Sequence, residues 1–365
     1  MRGRSRVKFV RTKELGVMEA ERTTNIKILI INLLLLCMLC ALMVTGSICS
    51  GYIRQYSSVS LRFDTPISGR TAYAARQYSV THSDALWPTF WTEYSASFSS
   101  EFVSANVDCI AFSGDAALVW PAEYIAGTAP GVIDGIGCAV SESLAWRLWG
   151  STDVVGMTVE VDGTERTVRG IFNGKEELAL LSFNDEDTSQ SWIAAEFKNG
   201  SSYITRDDAE RFASASGLGK PNSILIGNIS FFASTLLLLP LLILAVYGLW
   251  VIIGYVGKRY PIARKLIPFL LLFLFTALLP ILIGMLPEWV IPTRWSDFSF
   301  WGSQFTQGSN SLREFLRTAP QSRDVELRML FIEQTGITFL AVCVSLAVCF
   351  RFSVVRGQGI ARNRE

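Results

Sequence analysis

The sequence predicts an integral membrane α-helical protein with four transmembrane helices and a large α+β extracytoplasmic domain. Three observations carry this. Half of the 365 residues are hydrophobic and 18% are charged, against about 25% charged in soluble domains. Four apolar runs are each long enough, at about 1.5 Å per residue, to cross a hydrocarbon core of about 30 Å. The basic residues gather in three of the segments between those runs. The mean hydropathy is +0.33. With 33 Lys and Arg against 32 Asp and Glu, the charge balance excludes a globally basic nucleic-acid binder, so no nucleic-acid partner is expected.

The first span covers 28–48 and is broken only by short polar residues such as Asn32. A cleaved signal peptide is the competing reading. The basic preamble is 27 residues long and the Ser47-Ile48-Cys49 neighbourhood lacks a small-x-small cleavage site, so an uncleaved anchor is expected. The second span, 229–256, is long enough to tilt. The third, 266–286, contains Pro268 and Pro280, and the fourth, 331–350, begins near Glu333 and Gln334. The segment 1–27 carries eight basic and three acidic residues, the loop 257–265 four and none, and the tail 351–365 four and one. The excess of positive charge puts these three on the cytoplasmic side of a bacterial plasma membrane, with both termini inside. The segments 49–228, net −10, and 287–330, net zero, are expected outside.

Within 49–228, the stretch 52–100 shows no single period and is read as a helix mixed with irregular strands. A strand is expected at 106–112. Ser141 can cap a helix over 142–149, with Leu144, Ala145, Leu148 and Trp149 on one face and Gly150 ending it. The alternating segments 158–161 and 166–169 flank the turn pair Asp162-Gly163. A further strand is expected at 178–183 and a short helix at 205–215. The aromatics Trp87, Phe90, Trp91, Tyr94 and Phe98 have partial helical spacing and suit a core, a lipid-facing groove or a partner surface. Trp289, Trp295 and Trp301 suit a membrane interface.

Cys37, Cys40, Cys343 and Cys349 fall in spans and are read as small packing residues. Cys109 and Cys138 lie in the outer segment, where a disulfide can persist; one between them would close a loop of about 30 residues. The single histidine, His82, cannot build a metal site alone. No HExxH or GxSxG pattern occurs. Gly217-Leu218-Gly219-Lys220 fails the phosphate-loop spacing, because Pro221 follows the lysine. The acidic clusters Asp185-Glu186-Asp187 and Asp207-Asp208 read as a solvated face and a helix start. No catalytic residue, cofactor or metal is expected.

The order of one span, a large outer domain and three spans, together with Gly137-Cys138-Ala139-Val140-Ser141-Glu142-Ser143-Leu144-Ala145-Trp146-Arg147-Leu148-Trp149-Gly150 and the following Asp153-Val154-Val155-Gly156, Asp162-Gly163 and Arg166-Thr167-Val168-Arg169-Gly170-Ile171, resembles the MacB/FtsX-like permeases of ABC transporters. The motif covers about 35 residues. The resemblance implies packing and turn roles for Ser141, Glu142, Leu144, Ala145, Leu148, Gly150, Gly156, Gly163 and Gly170. Set against the family pattern, no fused nucleotide-binding domain is expected in this sequence, its 52–105 stretch lacks a clear family opening, and its 287–330 loop is long.

The resemblance further implies a mechanotransmission role. A separate cytoplasmic ABC ATPase would hydrolyse ATP, and a second permease subunit, identical or different, would complete the assembly. Motion would pass through a coupling loop containing Lys258, Arg259, Tyr260, Arg264 and Lys265, and the outer domain would act on a substrate, membrane lipid or envelope partner. The alternative is a membrane-bound regulator that activates an extracytoplasmic partner. An enzyme acting alone lacks a visible nucleophile and base.

Overall fold

The structure is a computed structural model that describes residues 30–56, 58–82, 86–101, 103–198, 204–225, 229–259, 269, 273, 276–277 and 298–362. It divides into two compact units. A helical unit draws on Met1–Gly51, Ala233–Leu278 and Ile332–Glu365, and a sheet unit on Tyr52–Phe232 and Leu279–Phe331.

The elements run α1 (Ile30–Gln55), β1 (Ser58–Ser68), α2 (Gly69–Thr81), β2 (Pro88–Ser99), β3 (Ser104–Ser113), α3 (Ala116–Val119), β4 (Tyr124–Gly127), β5 (Gly137–Ser141), α4 (Glu142–Trp149), β6 (Thr158–Val161), β7 (Thr164–Phe172), β8 (Leu178–Ser182), β9 (Ser191–Lys198), α5 (Arg206–Ala215), β10 (Ser223–Leu225), α6 (Ile229–Arg259), α7 (Phe298–Arg317) and α8 (Ser322–Arg362). Among the described residues, three helices hold stretches long and apolar enough to cross a membrane: Ile30–Gln55, Phe232–Tyr255 and Ser322–Ser353. The span expected at 266–286 lies outside the described residues, apart from isolated helical positions.

The strands form one sheet in the order β10-β1-β9-β2-β3-β8-β5-β7-β4, with β6 bridging β2 and β7. Pairing is antiparallel except at β3 with β8 and β5 with β7. Both faces are covered. Val59, Leu61, Phe90, Phe98, Cys109 and Leu181 turn to a large core roofed by α2, α4 and α5. Trp91, Ile110, Phe112, Leu180 and Ala194 turn to a second core under α3. Of the roles open to the aromatics of 87–98, this two-sided burial selects the core for Phe90, Trp91 and Phe98. The aromatic spacing fits a helix, yet the segment is β2, because alternate residues each find a core: Phe90 and Phe98 on one side, Trp91 on the other. Trp87, just before the strand, is exposed.

The region 287–330 is corrected too. It is not a plain loop: α7 and the first turns of α8 lie within it. α7 stops just before Pro320, which disfavours helix at the preceding residue. The Arg328 guanidinium donates to the carbonyls of Thr318, at 2.6 Å, and Phe315. A cation at a helix C-terminus satisfies carbonyls that have no partner within the helix.

In the helical unit, Leu39 of α1 packs with Ala341, Val344 and Val348 of α8 and with Leu244 of α6. Gly46 lets α1 approach α6, since a Cβ there would stand 2.6 Å from Leu237; small residues permit such approaches between membrane helices. The Ser50 and Ser234 hydroxyls share a hydrogen bond of 2.9 Å, and Arg351 Nε donates to the side-chain Oδ1 of Asn32 at 3.2 Å.

The stretch 137–172 takes its shape from local chemistry. The buried Ser141 hydroxyl accepts from Leu144 N at the start of α4 and from Leu178 N of β8, each at 3.2 Å. Leu144, Ala145 and Leu148 fill the core. Gly150 closes α4 in the left-handed region, with φ 66°. Gly170 admits no side chain, because a Cβ would sit 2.4 Å from the Thr128 carbonyl oxygen. Ser141→Ala leaves two buried amides short of an acceptor, so it is expected to lower the stability of the sheet unit by about 1–3 kcal/mol. Urea unfolding of the full chain, followed by tryptophan fluorescence, measures this.

Candidate functional site

The densest polar cluster in the sheet unit sits where α8 begins. On β1, Ser58, Ser60 and Arg62 point to the face opposite Val59 and Leu61, as the period of two requires. Glu196 of β9 is paired with Ser60 and with Thr89 of β2, and its side chain has no exposed surface. Its carboxylate accepts from the Ser58 hydroxyl at 2.7 Å, the Trp91 indole N–H at 3.1 Å and Arg323 Nη1 at 3.3 Å. Arg62 donates to Asp324 at 2.8 Å and lies 3.6 Å from Glu196. Its guanidinium stacks 4.5 Å from the Trp91 ring. Arg323 also donates to the Ser58 hydroxyl and the Leu118 carbonyl, at 2.8 and 3.1 Å.

Two guanidinium and two carboxylate groups are therefore enclosed with zero net charge. Burial pulls the Arg62 pKa down, and the carboxylates of Asp324 and Glu196 oppose that pull. A second contact fixes the same turn: the Glu93 carboxylate of β2 accepts from Ser322 N at 2.9 Å and from the Ser322 hydroxyl. A negative charge there complements the helix N-terminus. α7 is tied down separately, since Glu314 accepts from Arg206 of α5 at 3.0 Å and from Ile224 N of β10 at 3.1 Å.

Beside this cluster runs a groove of about 640 Å³ within the sheet unit. Tyr52, Tyr56, Trp120, Phe172, Val325 and Met329 give its apolar walls, and Glu123, Glu176, Glu326 and Lys175 its charges. Tyr56 joins groove and cluster: its hydroxyl is hydrogen-bonded to Glu326, and the Arg323 guanidinium lies 5.5 Å over its ring. Burial raises the Tyr56 pKa.

None of these residues was singled out from the sequence as a site. Of those that were, Lys258 and Arg259 lie in the last turn of α6, and Tyr260, Arg264 and Lys265 fall outside the described residues. Ser141, Glu142, Leu144, Ala145, Leu148, Gly150, Gly156, Gly163 and Gly170 lie in or between β5, α4, β6 and β7. Gly163 has φ 80° and Asp162 φ 48° in the β6–β7 turn. The expected Cys109–Cys138 disulfide is corrected: both thiols are free and buried. Strand β8 stands between them, pairing Cys109 with Ala179 and Cys138 with Leu181. Two strand spacings separate the pair by about 10 Å, beyond the limit of about 7 Å for a disulfide. Burial pushes both thiols up to about 12. Among the described residues no cluster suited to a metal ion occurs.

No family model and no curated protein matches the sequence. Solved structures similar to the chain include the extracellular domain of the noncanonic ABC-type transporter YknZ from Gram-positive bacteria, at 12% identity and TM-score 0.35, covering 45% of this chain and 96% of that one. A second is the periplasmic region of MacB from Actinobacillus actinomycetemcomitans, at 14% identity and TM-score 0.38, covering 48% and 92%. A third is a domain of a permease-type protein from Porphyromonas gingivalis, at 15% identity and TM-score 0.32, covering 44% and 79%.

Truncating one member of a buried ionic network strands its partner, so Arg323→Ala is expected to destabilise the sheet unit by about 3–5 kcal/mol. Glu196→Gln should cost less once Arg323 is already gone. A double-mutant cycle in urea unfolding reads that coupling. Cys109 and Cys138 should resist N-ethylmaleimide in the native chain, and both should react after denaturation without reductant, as intact mass will show.

Proposed function

We propose that this chain is a permease or mechanotransmission subunit of an ABC transporter. In this reading it crosses a bacterial plasma membrane four times, with both termini and the basic 257–265 loop in the cytoplasm and the sheet unit outside. A separate cytoplasmic ATPase supplies the energy and a second permease subunit completes the assembly. The chain itself hydrolyses nothing. It converts the ATPase cycle into movement of the sheet unit, which exports or extracts a substrate.

The observation that carries this reading is the enclosed network of Arg62, Glu196, Arg323 and Asp324. α8 is one helix of 41 residues that includes an apolar stretch of membrane-spanning length. Its first turn is fastened to β1 and β9 of the sheet by charge-assisted bonds, which are stronger than neutral ones. A displacement along or about α8 therefore loads β1 and β9 directly. The motif of α4 and the β6–β7 hairpin, and the separation of basic from acidic segments in the sequence, point the same way.

Gentle detergent pull-down of the full chain from its native cell is expected to recover an ABC ATPase; recovery of none sinks the proposal. In the reconstituted complex, a fluorophore on a cysteine placed at Ser189 should report an ATP-dependent change. Asp324→Asn should abolish most of that change while the ATPase stays bound. A change of full size in this variant would remove the network from the relay. Stimulation of an envelope hydrolase without transport would instead favour the regulatory alternative.

A further inference from the structure

The enclosed network of Arg62, Glu196, Arg323 and Asp324 has more hydrogens to donate than acceptors to take them. None of these side chains, nor Ser60 beside them, is more than 6% exposed. Every carboxylate oxygen is already engaged. Glu196 Oε2 accepts from the Ser58 hydroxyl, and Oε1 from the Trp91 indole and Arg323 Nη1. Asp324 Oδ1 accepts from Arg62 Nη2, and Oδ2 from Gln321 N at 3.3 Å. Arg323 Nη2 is taken up by Ser58 and Leu118. Among the described residues, Arg62 Nε and Nη1, Arg323 Nε and the Ser60 hydroxyl are buried and meet no acceptor. The buried guanidinium groups of Arg76 and Arg328 each leave only Nε in that state. The idle donors share one neighbourhood. Ser60 stands directly across from Glu196 in the β1–β9 register, and Arg62 and Arg323 lie 3.6 and 3.3 Å from the same Glu196 oxygen. A buried donor without a partner is costly, and more so when it is charged. Such a gathering of them points to an acceptor that the chain does not itself supply.

We propose that the network holds a halide ion, chloride under ordinary conditions, among Arg62, Arg323 and Ser60. A halide accepts several hydrogen bonds and donates none. A water molecule would have to place two hydrogens of its own where each carboxylate oxygen already has a donor. The enclosure also selects by size, because side chains buried this completely favour a single atom over a phosphate or a ligand carboxylate. Glu196 and Asp324 balance the two guanidinium charges. The remaining attraction is therefore local: charge-assisted hydrogen bonds from the idle donors, and the positive end of α8, whose first turn carries Arg323. This site goes beyond the transporter reading and stands or falls without it.

The test uses the full chain in detergent, exchanged into sodium gluconate and titrated with sodium chloride at constant ionic strength. Chloride NMR is expected to show excess line broadening that saturates and that bromide displaces. The urea midpoint should rise with chloride and show the saturable dependence of a ligand that binds only the native state. Ser60→Ala removes one idle donor and leaves every ion pair in place. It should weaken chloride about tenfold, the effect of one hydrogen bond to a charged group. In gluconate the same variant should be at least as stable as the wild type, since it deletes a buried hydroxyl that has no partner. Arg62→Lys keeps a cation for Asp324 but has neither Nε nor Nη1, so its urea midpoint should no longer respond to chloride; it decides the location if Ser60→Ala misfolds. Absence of saturable broadening together with equal urea midpoints in the two salts overturns the proposal, and this wild-type comparison needs no variant. Unchanged chloride affinity in the variants overturns it too, by putting the ion elsewhere. Equal destabilisation by Ser60→Ala in both salts would assign the donors to water and rule out the halide.

Discussion

Glu196 is a carboxylate with no access to water, and the arrangement of the sheet unit around α8 depends on keeping it satisfied. A lone charge in such a place would be driven toward its neutral form. Here it meets a hydroxyl, an indole N–H and a guanidinium from three separate elements. Each partner is itself held. Ser58 is placed by the β1–β9 register, Trp91 by the second core, and Arg323 by its bonds to Ser58 and Leu118. Such a network adds little net stability compared with a well-packed apolar one. What it adds is discrimination: α8 can start in one register only, because sliding it by one residue would remove both Arg323 and Asp324 from their partners.

The parts of the fold legible in the sequence are those whose determinants are neighbours along the chain. Ser141, Gly150 and the Asp162-Gly163 pair mark a capped helix and a tight hairpin within about 35 residues, and Thr205 with Asp208 forms a reciprocal cap at the start of α5. The joint is of another kind. Arg62 and Asp324 are 262 positions apart, and nothing near either one signals the other. Arg323 and Asp324 read as ordinary surface charges ahead of an apolar run. The segment before them is rich in Gly, Ser and Asn, from Gly302 to Ser311, which suggests a loop. It is helical because Phe315 is buried and Glu314 is bonded to α5 and β10. Tertiary packing overrides weak local propensity. The β2 aromatics do fill the core, but their element type is hidden: a period of two with both faces buried resembles a period of 3.6 when every third or fourth residue is aromatic.

The cysteines show the same limit in chemical form. Compartment and spacing make Cys109 and Cys138 plausible partners, but a disulfide is decided by strand order. The parallel insertion of β8 between β3 and β5 is a long-range property of the topology. Once separated, each thiol becomes a small apolar packing group on the same core face as Val107, Val140 and Leu181. The Cys109 thiol is additionally within 3.1 Å of the Tyr94 carbonyl oxygen, to which it donates.

Tyr56 is where the anchoring network meets the groove. Its ring lies beneath the Arg323 guanidinium and its hydroxyl is bonded to Glu326 in the groove. A change at Glu326 that moved this hydroxyl would change the surface on which Arg323 rests, and a change at Arg323 would reach Glu326 through the same ring. One side chain thus joins the charges that anchor the helix to the charges that face the groove. No separate relay is required for the groove wall and the start of α8 to depend on each other.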